Sequence, residues 1–364
     1  MLIPMKHILT VSLLLVQFLS AKAQYPTDND LPEKAERVKK IKLSSQPAEI
    51  SAPAAPIAGI KVIPSCGDTL RLGFVQVGMA NKKISAVPDK PWNAYLQDFV
   101  DTRFKTALTA SGAQLLWVVE DLRINEHTFA MSEKAYVRLK ANAYLSRDNA
   151  HYQLISSLDT VLLKGGMDVT HKHDQNIAEV FELLWGRSVD AANTATGNAT
   201  LTVADVLSKE QNRFALPILQ TSIYKPGVYK TYQEFLNNQP SIEKFNVEIK
   251  KRKVTIQEMD TNDNAGPAVE NAWGICKDGE LYKYHKERLI PIEKSGNSFV
   301  LSNYLDAINR RNKAIFWGAM TGGLGGAAFG LTTTGLFSVE TIPYITRQQP
   351  EATTIDIDNG TLMF

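Results

Sequence analysis

Between residues 135 and 145 the sequence changes character at every step. Ala135, Val137, Leu139, Ala141 and Ala143 fall on one parity, and Tyr136, Arg138, Lys140, Asn142 and Tyr144 on the other. Successive side chains of an extended strand point to opposite faces, so this stretch has one dry face and one wet face. Such a strand belongs in a sheet whose two sides meet different surroundings, as in antiparallel sheets.

The surrounding sequence supplies the rest of such a layer. Residues 114–124 and 151–163 are β-rich, and residues 70–77 (LRLGFVQV) alternate. Residues 78–90 read as a loop. Pro91 then opens a helix at its first turn, where proline is tolerated. Trp92, Tyr95, Leu96, Phe99, Val100, Phe104 and Leu108 recur at helical spacing, and Gly112 ends the run. Ile177, Val180, Phe181, Leu184 and Trp185 mark a second amphipathic helix, capped by Thr170 or Asp174. The order βαβββα over residues 68–190 predicts an α+β sandwich with its helices on one sheet face.

Residues 191–212, rich in Ala, Asn and Thr, read as a linker that ends in a short helix. Residues 213–313 form a small antiparallel β-rich domain. Thr231 to Glu234 matches a capping box. The Asp278-Gly279 pair sits between AWGIC and ELYKY as a hairpin turn, and Ser295-Gly296-Asn297 repeats the pattern. Lys250, Lys251, Arg252 and Lys253 read as a solvated strand edge, where lysines discourage edge pairing. At the C-terminus, residues 338–364 are expected to form a β hairpin turning at Asp358-Asn359-Gly360. A lone strand pair needs a host sheet, and residues 245–304 offer one.

Residues 314–337 (AIFWGAMTGGLGGAAFGLTTTGLF) form a long uncharged run. Gly318, Gly322, Gly326 and Gly330 share one face if the run is helical, a glycine zipper of the small-xxx-small kind that allows close backbone packing. Its length suits a spanning helix. Its glycines and threonines, and the cations Arg310, Arg311 and Lys313 before it, suit one less well. Three readings stay open: a membrane-inserted helix, a helix packed on a partner or on its own domain, and a glycine loop.

Residues 1–23 read as a secretory signal peptide, with Lys6 in the basic end, apolar residues 8–19, and Ala21-Lys22-Ala23 as the cleavage site. Gln24 gives no lipid-bearing cysteine. Residues 24–67, rich in Pro, Ala, Lys and Glu, are expected to be a disordered tether. The predicted location is the periplasm or the outer membrane. Removal of residues 1–23 takes away Lys6 and Lys22 and no acid, so the formal charge falls from +2 to zero. A neutral chain gives no electrostatic reason to expect nucleic acid as a partner. Cys66 and Cys276 are the two cysteines, and export would allow a disulfide between them.

No nucleotide, zinc-protease or serine-hydrolase signature is found, and no cofactor motif. His171, His173 and Asp168 form a weak acid–histidine combination without a defined nucleophile. A metal role is disfavoured, because His at i and i+2 do not share a helix face. Trp273, Tyr282, Tyr284 and Tyr304 read either as ligand-binding aromatics or as core.

Residues 70–78 (LRLGFVQVG), followed through the paired strands to DVTHKHDQNIAEVFELL, make this region resemble small periplasmic α+β domains, among them auxiliary lipoproteins of ABC-type envelope transport systems. Separately, KPGVYKTYQEFLNNQPSI with AWGICKDGELYKY resembles a pattern in exported envelope proteins of Gram-negative bacteria that have no assigned activity. These resemblances imply a binding or assembly role and no catalytic residues. The expectation is a non-enzymatic envelope module, binding an envelope protein or membrane or self-associating through the glycine face. The alternatives are a secreted hydrolase-like enzyme using Asp168, His171 or His173, and a carbohydrate- or peptide-binding module built on Trp273.

Overall fold

The alternating strand lies one place in from the edge of a seven-stranded sheet. The computed structural model describes residues 37–312 and 350–364, apart from 45, 51, 52, 79, 130, 131, 167, 168, 252, 303 and 311. The first sheet is built from β1 (Lys39–Ile41), β2 (Ile57–Pro64), β3 (Gly73–Val77), β4 (Lys82–Pro88), β5 (Ala113–Phe129), β6 (Ser132–Ser146) and β7 (Gln153–Gly166). Its order is β1-β4-β3-β5-β6-β7. β2 lies parallel to the first part of β5, from Ile57 opposite Ala113 to Pro64 opposite Val119. β3 meets β5 further along, at Gly73 opposite Ile124. There the backbones come so close that a Cβ on Gly73 would lie 1.9 Å from the Ile124 carbonyl oxygen, and φ is +137°. Only glycine fits that crossing.

Helices α1 (Trp92–Arg103) and α2 (His173–Thr194) cover one face of this sheet. Tyr95, Leu96, Phe99 and Val100 of α1 and Ile177, Val180, Phe181 and Leu184 of α2 pack with Trp117, Leu139 and Ala141 in one core. Phe104 meets Trp117 edge-on at 5.4 Å and stacks on Trp185 at 5.2 Å. The class is therefore α+β, with both helices on the dry face read from residues 135–143.

The pairing of β5 with β6 shifts register between Val119 and Asp121. Glu120 is the extra residue, and a bulge of this kind reverses the facing of everything after it. Trp117 and Val119 face the helices, and beyond the bulge so do Leu122 and Ile124. Asp121, Arg123, Asn125 and His127 are thereby turned to the opposite face.

That opposite face is covered in two parts. Helix α3 (Val203–Arg213) lays Val206 on Ile63, Leu116, Val118 and Tyr144. It starts with a capping box, in which the Thr202 hydroxyl accepts from Asp205 N and the Asp205 carboxylate accepts from Thr202 N. The rest is covered by the C-terminal part of the chain.

A second sheet begins after the short helix α4 (Pro217–Gln220), and helix α5 (Tyr232–Leu236) follows its first strand. Its strands are β8 (Gly227–Tyr229), β12 (Gly274–Lys277), β13 (Glu280–Tyr284), β14 (Leu289–Ser295), β15 (Ser298–Leu301), β16 (Thr354–Ile355) and β17 (Leu362–Met363), in the order β17-β16-β15-β14-β13-β12-β8. A three-stranded sheet of β9 (Phe245–Lys250), β10 (Lys253–Met259) and β11 (Ala265–Ala268) stands beside it. Asp278 and Gly279 turn the β12–β13 hairpin with φ of +54° and +82°, as the Asp-Gly signal predicts. The C-terminal hairpin docks where expected, with β16 antiparallel to β15 and β17 on β16. The described residues form one compact unit, within which the two expected regions carry separate sheets.

Three local expectations are corrected. The stretch read as a tether contains β1 and β2, because Ile57, Ile60 and Val62 are buried beside β5. The proposed loop at 78–90 contains β4, whose Ile84 and Ala86 enter the core. The linker begins inside α2 and ends inside α3, and Val206 anchors α3 to the sheet.

Candidate functional site

The wet face of β6 meets the C-terminal residues along a seam of paired charges. Arg138 of β6 reaches Asp121 at 3.4 Å, Asp159 at 2.9 Å and Asp356 at 3.8 Å. Arg123 donates to Asp121 at 2.8 Å. Lys140 bridges Glu120 and Asp358. Arg213, the last residue of α3, holds Asp358 with two parallel bonds of 2.7 and 3.0 Å, the fork geometry that suits guanidinium to carboxylate.

The environment favours the charged forms. Burial works against the Arg123 charge, but Asp121 and Asp68 outweigh it and raise its pKa. Burial alone would raise the Asp358 carboxyl, and the bonds from Arg213 and Lys140 instead hold it below its usual range. Lys140 is raised for the matching reason, its bonds to Asp358 and Glu120 exceeding the cost of burial.

At one end of the seam stands Lys83 of β4, with a side chain that is 1% exposed. Its Nζ donates to Asn125 Oδ1 at 2.7 Å and to the Tyr304 hydroxyl at 2.8 Å. Glu351, fully buried, lies 3.8 Å from Nζ and 3.2 Å from His127 Nδ1. The Lys83 backbone is gripped as well: its N–H donates to Asn309 Oδ1, and Asn309 Nδ2 donates back to its carbonyl. Asn312 Nδ2 donates to the Asn81 carbonyl at 2.8 Å. Residues just before 313 and just after 349 therefore converge on β4.

A lysine beside a phenol and a carboxylate has the groups for proton transfer or nucleophilic attack. Here they are enclosed. The cavity along the seam, between Asp121, Arg138, Lys140 and Asp356, measures about 10 Å³, which is room for about one water. The seam ties distant parts of the chain together.

The residues singled out from sequence fall elsewhere. Trp273 stacks on Phe235 at 4.1 Å and donates from Nε1 to the Gly360 carbonyl, inside the second core. Tyr282 is buried with its hydroxyl on Glu280, and the Tyr284 hydroxyl bonds the Val254 carbonyl. Among the described residues these aromatics make core and hydrogen-bond contacts. Tyr304 belongs to the Lys83 cluster instead. His173 is buried with Nε2 2.8 Å from Glu126 Oε1, while His171 is exposed, so the structure does not bring the pair together as one site. Asp168 lies outside the described residues. So do Gly318, Gly322, Gly326, Gly330 and the whole of 314–337.

The disulfide that export would allow is not formed. Cys66 and Cys276 are both free and buried, Cys66 against β5 and Cys276 in the core of the second sheet. Their Sγ atoms approach different carbonyls, Val119 and Tyr224, each at 3.6 Å. No helix among the described residues is long and apolar enough to cross a membrane.

Sequence reading missed Lys83, His127, Arg213 and Glu351. The one available signal was the row of charges on the wet face of residues 136–142, too polar for a core and too regular for a loop. Compared with known proteins, the chain matches no family model and no curated sequence.

Proposed function

We propose that this is an exported, non-enzymatic envelope protein whose folded body clamps both ends of residues 313–349 and presents them to a membrane or a partner. The observation that carries this reading is the convergence on Lys83. Tyr304 and Asn309 bind it from one side of the segment, and Glu351 from the other. A segment with both feet on one strand enters and leaves on the same side of a barrier. That favours a surface-lying or re-entrant contact, or packing against another protein, over a single crossing. The glycine face of Gly318, Gly322, Gly326 and Gly330 is the contact surface in this reading.

The test is fractionation of the native chain from its host, with alkaline carbonate extraction of the membranes, beside a Gly322→Leu/Gly326→Leu variant. The reading expects envelope association in the parent and its loss, or a smaller assembly, in the variant. Identical fractionation and assembly size for the two would overturn the glycine-face role. Recovery of the parent in the cytoplasm would overturn the envelope reading itself.

A further inference from the structure

Under the first turns of α1, on the side away from the seam, lies a cavity of about 100 Å³. Lys42, Ser44, Asp89, Lys90, Tyr95 and Asp98 line it. Tyr95 is fully buried, yet its hydroxyl has no hydrogen-bond partner among the described residues. Asp89 Oδ1 is likewise buried and unpartnered among them. Buried polar atoms are nearly always satisfied, and those left over point to a missing occupant. Asp98 is already neutralised by Lys90 at 2.5 Å. Lys42 also lines the cavity, but no ion pair holds Asp89 among the described residues, and its carboxylate is the unpaired acidic group of the lining.

We propose that this cavity is a binding site for a primary ammonium group, with Asp89 Oδ1 and the Tyr95 hydroxyl oxygen as its acceptors. The chemistry selects the class. A carboxylate accepts and cannot donate, so its partner must bring N–H or O–H donors. A positive donor makes the bond charge-assisted, and an anion would meet Asp89 with repulsion. Asp89 and Asp174 both lie near enough to Tyr95 to raise its phenol further, after burial, so the hydroxyl stays neutral and able to accept. The volume takes a head group and little more. A second recess of about 300 Å³, lined by Arg103, Gln175, Glu179 and Glu182, also touches Ser44. This site stands independently of the envelope reading.

The test uses the full mature chain and ethylammonium chloride as probe, with potassium and tetramethylammonium chloride at matched ionic strength. The readout is the Trp92 indole N–H resonance. Trp92 packs edge-on to Tyr95 with ring centroids 6.0 Å apart, and the resonance is assigned by its loss in Trp92→Phe. Ethylammonium is expected to give a saturable shift that the other two salts do not. Asp89→Asn should weaken it by about tenfold or more, since a charge-assisted bond is lost. Tyr95→Phe removes an unsatisfied group, so it folds, and it should weaken binding by a smaller factor. No saturable shift would mean the cavity holds only water. An equal shift with potassium or tetramethylammonium would show that N–H donation is not what is read. Either result overturns the proposal.

Discussion

Glu351 stands 3.8 Å from Lys83, with both side chains shut away from solvent. The two lie far apart in the sequence, and Glu351 also stands 3.2 Å from His127 Nδ1. Taking an ion out of water costs several kcal/mol even after relaxation, so a buried pair is most damaging when half of it is removed. Lys83→Met is expected to destabilise the fold by roughly 3–5 kcal/mol. Lys83→Met combined with Glu351→Gln should cost less than the two single changes added together. Urea unfolding of the three variants checks this. Strict additivity would mean that the pair does not act as a unit.

Acid should loosen the C-terminal hairpin. Asp358 is held below its usual range by Arg213 and Lys140, so its contribution is complete above the ordinary aspartate value of about 3.9. It is lost as the pH falls through the lowered folded-state value. The protection factors of the Thr353 and Asp356 amides, which close the hairpin on Met363 and Thr361, should fall on acidification once the exchange rate of the unstructured chain at each pH is divided out. In Asp358→Asn that step should be weaker, with faster exchange already at neutral pH.

Both thiols should stay unpaired in the native chain. Burial pushes Cys66 up to about 12 and Cys276 to about 11, far from the thiolate form that alkylates. Iodoacetamide should leave the native chain unmodified, and the unfolded chain should gain two adducts without any reductant. A chain that needs reduction before it takes label would contradict the free thiols.

Trp273→Ala is expected to cost about 3–5 kcal/mol through the cavity it leaves against Phe235. Gly360→Ala should also destabilise: φ is +73° and the new Cβ would lie 2.5 Å from Tyr232 Cδ2. Thermal unfolding reads both. A Trp273→Ala chain that melts like the parent but loses affinity for a sugar or peptide would restore the aromatic-groove reading.

Local pattern carried the sequence reading where local physics decides structure. The alternation at 135–145, the Asp278-Gly279 turn and the terminal hairpin are set by neighbours a few residues apart. β2 escaped notice because its partner strand, β5, is far along the chain. A parallel strand flanked by Pro and Ala has no turn to betray it. The seam was hidden for a related reason. The bulge at Glu120 changes which side chains face it, and Lys83 finds Glu351 only after the chain has folded. The alternating charges at Arg138 and Lys140 were legible, but their partners were not.

The order in which these parts are synthesised sets when the seam can close. β4, β5 and β6 exist long before residue 351 is made, and contacts so distant in sequence form slowly. Until Glu351 and the hairpin arrive, Lys83 lacks its carboxylate and Arg138 one of its three, and the sheet stays short of its final stability. A chain cut short anywhere within 313–349 would remain in that state, open to proteases and prone to aggregation. The seam is thus completed last, only after residues 351–364 have been made.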